Sequence, residues 1–145
     1  MENIDFNNIE FIIIIQCSIA KRRCSGFYCV QSFYDKKGTF LDYPKDKNIM
    51  YLSMECGGCC GKGVSSLIGH FNRKMIEFYK IPKDKTVIHL ASCMTNDQHH
   101  YDRCPHIEYI KDIIVRKYGF KNVVEGTYIS AKSTNLRDKE IYNKY

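Results

Sequence analysis

The sequence predicts an α/β fold: a small, three-layer parallel sheet of about four strands with helices on both faces, of the Rossmann or flavodoxin kind. Three observations predict it. Short apolar, β-branched runs alternate with segments of helical periodicity along the chain. The first run, Phe11-Ile-Ile-Ile-Ile15, is apolar without interruption, as a strand covered on both faces has to be. Glycine or proline stands at most of the junctions between segments.

The elements follow in order. Residues 10–16 read as a buried strand with Cys17 at its carboxyl end. A basic stretch, Lys21-Arg22-Arg23, leads to Cys24 and Cys29. Residues 27–37 have a helical pattern, with Phe27, Val30 and Phe33 or Tyr34 on one stripe and Gly38 as the stop. After a polar loop containing Pro44, residues 49–53 form the second strand, which runs straight into Cys56-Gly-Gly-Cys-Cys-Gly-Lys-Gly63. The clearest helix spans 64–79, with Val64, Leu67, Ile68, Phe71, Met75 and Phe78 predicted as its core-facing stripe. Residues 86–91 are a third strand, ending in Ser92-Cys93-Met94. Cys104-Pro105-His106 opens a helix to Tyr118, with Ile107, Ile110, Ile114 and Tyr118 inward and Gly119 as its cap. Residues 122–125 are a short fourth strand before Gly126-Thr127-Tyr128. A polar, Lys-rich tail occupies about 130–145.

Length and composition limit the function classes. The 145 residues, 44% of them hydrophobic, suit one domain spanning 1–145 with a single packed core. The formal charge of +6 is modest, and no RNA-recognition, zinc-finger or helix-turn-helix pattern accompanies it, so nucleic acid is not the expected partner. The polar N-terminus lacks the basic region of a secretion signal, and the apolar run 11–15 is too short to span a bilayer. The expected location is the cytosol, with no membrane partner. Eight cysteines in a reducing compartment point to metal binding or reactive thiols rather than disulfides.

The predicted topology gathers those cysteines. Ligands of open parallel sheets bind outside the carboxyl ends of the strands. Cys17, Cys56, Cys59, Cys60 and Cys93 follow three strand ends, and Cys24, Cys29 and Cys104 lie in or just beyond the same connections. Within Cys56-Gly57-Gly58-Cys59 the glycines permit positive φ, so both sulfurs can turn to one point. Two cysteines three apart make a metal-binding knuckle, and the following helix N-terminus favours thiolates for either metal ligation or thiol chemistry. The glycine spacing fails the phosphate-loop pattern, since Gly63 rather than Ser or Thr follows Lys62. His106 is the best histidine donor, being beside Cys104 at a helix start. His99 and His100 sit in a polar loop, His89 reads as a packed core residue, and His70 reads as structural. Lys21, Arg22, Arg23, Lys62 and Arg103 neighbour cysteines and could offset thiolate charge, or form ordinary charged surface.

These residues resemble the CGGC domain family over nearly the whole chain. The resemblance rests on Cys17, Cys24 and Cys29, on Gly38-Thr-Phe-Leu-Asp-Tyr43, and on the central Cys56-Gly57-Gly58-Cys59. It continues through Ile88-His-Leu-Ala-Ser-Cys-Met94, Cys104-Pro-His106 and Val124-Glu-Gly-Thr127. It implies a metal-binding protein, with zinc the usual suggestion and no assigned reaction. Relatives usually carry proline where this chain has Cys60, and histidine where it has Tyr128. The expected metal donors are therefore Cys17, Cys24, Cys29, Cys56, Cys59, Cys93, Cys104 and His106, holding zinc or an iron–sulfur cluster. The alternative is a thiol/disulfide or sulfur-handling enzyme acting on a small thiol or sulfur substrate through Cys56-Gly-Gly-Cys59.

Overall fold

A computed structural model describes residues 4–58, 60–96, 103–132, 135 and 139. β1 (Phe11–Gln16) is buried at all six positions, because strands flank it on both edges and helices cover both its faces. β2 (Met50–Glu55) and β3 (Thr86–Leu90) pair parallel to it on either side, and β4 (Val123–Glu125) pairs parallel to β3. The order is β2-β1-β3-β4, an all-parallel sheet of four strands with the α/β character that the alternating pattern predicts. Each observed strand lies within two residues of its expected bounds.

Alternation along β1 divides the core. Phe11, Ile13 and Ile15 face one layer with Ile88 and Leu90, under α2 (Gly63–Lys74) and α3 (Ile107–Asp112). Ile12 and Ile14 face the other with Val87, Phe40 and Tyr43, under Phe33 of α1 (Phe27–Asp35). Both α2 and α3 end in a π-helical turn, at Met75–Tyr79 and Ile113–Lys117. Among the described residues no helix is long and apolar enough to cross a membrane.

Two expected stripes are narrower in the structure. On α2 and its extension, Val64, Ile68 and Met75 are buried and Phe71 is half-buried against Phe11 and Phe120, but Leu67 and Phe78 are exposed. The contact line runs i, i+4, i+7, i+11, which leaves Leu67 on its flank. The wide π turn advances fewer degrees per residue and swings Phe78 off the stripe. On α1, Phe33 packs on Phe40 and Tyr51, whereas Phe27 and Tyr34 are exposed, because the sheet ends at β2 and leaves no wall beyond it. His70 is exposed on α2 rather than packed.

His89 is fully buried in β3, as its strand position predicts. Its Nδ1–H donates to the Gly126 carbonyl at 2.9 Å, which fixes Nε2 as acceptor for the Tyr43 hydroxyl at 2.7 Å. Burial pulls His89 down to about 4 from 6.5, against the opposing pull of the Gly126 carbonyl. The folded value lies below the unfolded one, so the neutral ring's stabilisation is complete above 6.5, erodes as pH falls, and stops eroding near 4. The expected loss across that window is on the order of 3 kcal/mol. Urea midpoints between pH 7.5 and 4.5 check it, because a His89→Gln variant should show a shallower decline than the parent protein.

Candidate functional site

The strand order makes β1 the point where the sheet reverses. The chain leaves β1 toward β2 on one side and reaches β3 on the other, so the crevice beyond the carboxyl ends of β1 and β3 is where such a sheet receives ligands. Cys17 follows β1 directly, Cys56 follows β2 directly, and Cys93 lies three residues past β3. The seven described cysteines are all free thiols. Cys59 lies outside the described residues, as do His99 and His100.

Six of the described thiols form two sets, which touch where the Cys17 amide reaches Cys93, and Cys60 belongs to neither. The first is Cys17, Cys56 and Cys104. Cys56 is buried in the core layer under α2 and α3, with Cys17, Cys93 and Cys104 packed against that layer. The Cys56 amide donates to the Gln16 carbonyl at 2.9 Å, which ties the loop after β2 to the end of β1. Its sulfur accepts the Ser18 amide at 3.4 Å and donates to the Gly58 carbonyl at 3.4 Å. Ser18 also takes the Gly57 amide on its hydroxyl at 3.0 Å, so one serine holds both residues. The Cys104 amide is fixed on the Met94 carbonyl at 2.9 Å, and its sulfur accepts the His106 amide at 3.4 Å. Burial raises the Cys104 thiol, and the charges of Cys56 and Cys17 push the same way, while the His106 amide and Arg103 oppose them. Cys104 thus shares one field with the other two sulfurs.

Close glycine packing presses the central loop onto this group. Gly57 has φ +87, and a Cβ there would stand 2.5 Å from the Gly63 Cα at the start of α2. A Cβ on Gly61, at φ +72, would stand 2.6 Å from Ile110 Cγ1 of α3, with His106 Cβ 4.0 Å away. His106, half-buried ahead of α3, thereby lies beside the central loop.

The second group, Cys24, Cys29 and Cys93, lines a cavity of about 160 Å³ at the reversal point, together with Lys21, Tyr28 and Tyr128. The two tyrosine rings stack with centroids 4.8 Å apart. Cys29 Sγ lies 3.2 Å from Thr127 Oγ1, and Lys21 Nζ donates to the Ser25 carbonyl at 2.9 Å. Burial pushes the Cys93 thiol up to about 12; the Cys17 amide lowers it, and the charges of Cys29, Cys17 and Cys24 raise it further. Cys93 therefore stays protonated at neutral pH. Tyr128 belongs to this cavity, whereas Cys60 is exposed in the turn after the central motif. Of the basic neighbours, Arg103 is committed to Glu125 at 3.1 Å, where Lys111 also pairs, and Lys21 alone lines the cavity.

Two threonines that hold the site, Thr39 and Thr127, fall within motifs of the resemblance but carry no signal of their role. Thr127 is fully buried; its amide donates to Ser92 Oγ at 2.7 Å and its hydroxyl accepts the Ser92 amide at 3.1 Å. Thr39 clamps the same turn through the Gly126 carbonyl at 2.7 Å. Thr127→Val should strand the Ser92 amide and release Cys29, costing about 1–3 kcal/mol in denaturant unfolding.

The donor chemistry of the first group suits a thiophilic cation, since its members are all thiols with no carboxylate among them. As the side chains stand, they do not close a coordination shell: among the described residues no three or more His, Cys, Asp or Glu side chains are arranged to hold a metal ion. The model of the CGGC domain family matches residues 11–128. No curated protein and no solved structure matches the chain.

Proposed function

The chain belongs to the CGGC domain family, and from that membership we propose that it is a metal-binding protein whose donors are Cys17, Cys56 and Cys104, completed by Cys59 or His106. The supporting observation is that three separate connections carry these thiols to one end of a parallel sheet, close enough for the charges of Cys56 and Cys17 to act on Cys104. Donors so far apart in sequence are brought together only by the fold, so loading would stabilise the folded chain. Zinc would supply a closed structural centre, and an iron–sulfur cluster would supply electron transfer. A reducing, cytosolic setting fits either.

Purification under strict anaerobiosis, followed by elemental analysis and a visible spectrum, tests the reading. About one equivalent of zinc in a colourless protein assigns zinc. Iron and sulfide with a band that bleaches on reduction assign a cluster. Protein free of both, and unable to take up either after reduction, contradicts metal binding.

The cavity lined by Cys24, Cys29 and Cys93 favours a second reading, thiol/disulfide exchange with a small sulfur compound. Cys29 lies in the first turn of α1 and lines this cavity beside Cys24. Its sulfur would attack a small disulfide, form a mixed disulfide and release one thiol; Cys24 would then displace the second thiol. Reduction of a low-molecular-weight disulfide by the parent protein, lost in Cys29→Ser, supports this reading. Equal activity in the two proteins sinks it.

A further inference from the structure

We propose that the cavity at the reversal point binds a small monocarboxylate, held by the Gln16 side-chain amide, the Lys21 ammonium and the free backbone amides that open α1. The observation that carries this is Gln16. It ends β1, is only 4% exposed, and lines the cavity. Its peptide carbonyl accepts the Cys56 amide, but its side-chain amide has no hydrogen-bond partner among the described residues. Buried amides are costly unless they bond to something, so these N–H groups mark where an acceptor belongs.

Gly26 brings a second donor to the same point. It has φ +84, and a Cβ there would lie 2.4 Å from Gln16 Nε2 and 3.2 Å from Lys21 Nζ. Both nitrogens therefore close on the face of Gly26 that a side chain would fill. Lys21 Nζ donates once, to the Ser25 carbonyl at 2.9 Å, and an ammonium keeps two further N–H groups. Gly26 is also the N-cap of α1, a helix of nine residues. The Phe27 amide goes to Ser25 Oγ at 3.2 Å, and the Val30 amide goes to the Gly26 carbonyl at 3.3 Å. The amides of Tyr28 and Cys29 between them have no partner among the described residues, and both residues line the cavity. No acidic residue stands in this first turn and no side chain caps it. The positive end of the helix thus adds to Lys21 and to Gln16.

Charge and size select the anion. Lys21 is the one charged residue among the described residues that line the cavity, which matches a single negative charge. A carboxylate offers two oxygens with several acceptor sites, enough for an amide, an ammonium and two backbone N–H groups. At about 160 Å³ the cavity is smaller than the roughly 300–1,000 Å³ of sites for drug-sized ligands. Ala20, Cys93 and the stacked rings of Tyr28 and Tyr128 offer apolar wall to a short carbon chain. Cys17, Cys56 and Cys104 do not line the cavity, and binding asks no reaction of the thiols that do. The inference is therefore independent of both readings above.

Propionate titrated into the ¹⁵N-labelled full chain, as purified, tests it by NMR. The Gln16 side-chain amide and the Tyr28 and Cys29 backbone amides should shift together and saturate, with a millimolar dissociation constant. Lys21→Met and Gln16→Met should each weaken binding by about 10-fold or more, with the rest of the spectrum unchanged. Lys21 is only half-buried, so its variant gives the answer even where Gln16→Met fails to fold. Propionamide, the neutral isostere, should leave these resonances in place, and inorganic phosphate should bind more weakly than propionate. Resonances unmoved by about 100 mM propionate, or equal affinity in Lys21→Met, overturn the proposal. Equal shifts with propionamide, or tighter binding of phosphate, overturn the assignment to a carboxylate.

Discussion

Cys56→Ser is expected to remove bound metal almost completely while leaving the fold in place. Cys56 is the most buried sulfur of its group, 5% exposed, and its contacts with Ser18 and Gly58 hold it still. Serine keeps the shape and can take the same two hydrogen bonds, so folding should be little changed. As a ligand it fails, because a neutral hydroxyl does not replace a thiolate on a thiophilic cation. Metal content measured after dialysis should fall from about one equivalent to under a tenth. Cys24→Ser should keep its metal, because Cys24 belongs to the cavity group. Cys60→Ser should keep it as well, because Cys60 is exposed beyond the loop.

Gly57→Ala is expected to be the most damaging change within the central motif. The residue has φ +87, where a side chain costs about 1–2 kcal/mol. The new methyl would also stand 2.5 Å from the Gly63 Cα and 3.1 Å from its nitrogen. Both are backbone atoms at the start of α2, so relief requires moving the helix or peeling the loop from it. Together these should cost about 3 kcal/mol or more. Gly58→Ala is the matched comparison, since Gly58 has φ +123 and nothing within 4 Å of its would-be Cβ. It should show conformational strain alone. Chemical denaturation of the two variants separates them: a larger loss for Gly57→Ala follows from the packing, and equal losses would leave strain as the only effect.

The fold was legible because its signals are local and repeated. The isoleucine run of β1 could be covered only by strands at both edges and helices on both faces, and it stands at the centre of the sheet. The parallel order then brought Cys17, Cys56 and Cys93 to one edge, as the strand ends predict. The division of the thiols was not legible. Cys24 and Cys29 join Cys93 at the cavity through the path of the connection into α1, a tertiary property without a spacing rule. Cys104 joins Cys56 through packing of α3 on the loop at Gly61, which depends on a glycine that looks like any other in the motif. Thr127 appears in sequence as one residue of a short motif, yet it binds Ser92 twice and touches Cys29. The helix stripes were overextended at Leu67, Phe78, Phe27 and Tyr34 for one general reason. Periodicity marks which side of a helix is apolar, and only the neighbouring layers decide how much of that side is covered.

Differential alkylation read residue by residue by mass spectrometry shows most directly which thiols hold the metal. Metal-loaded and chelator-treated protein would be labelled side by side with a small thiol reagent. Cys17, Cys56 and Cys104 should be protected by metal and become reactive when it is withdrawn, with Cys24 and Cys29 labelled equally in both samples. Metal-dependent protection at Cys24 and Cys29, with Cys17 and Cys104 indifferent to the chelator, would contradict it.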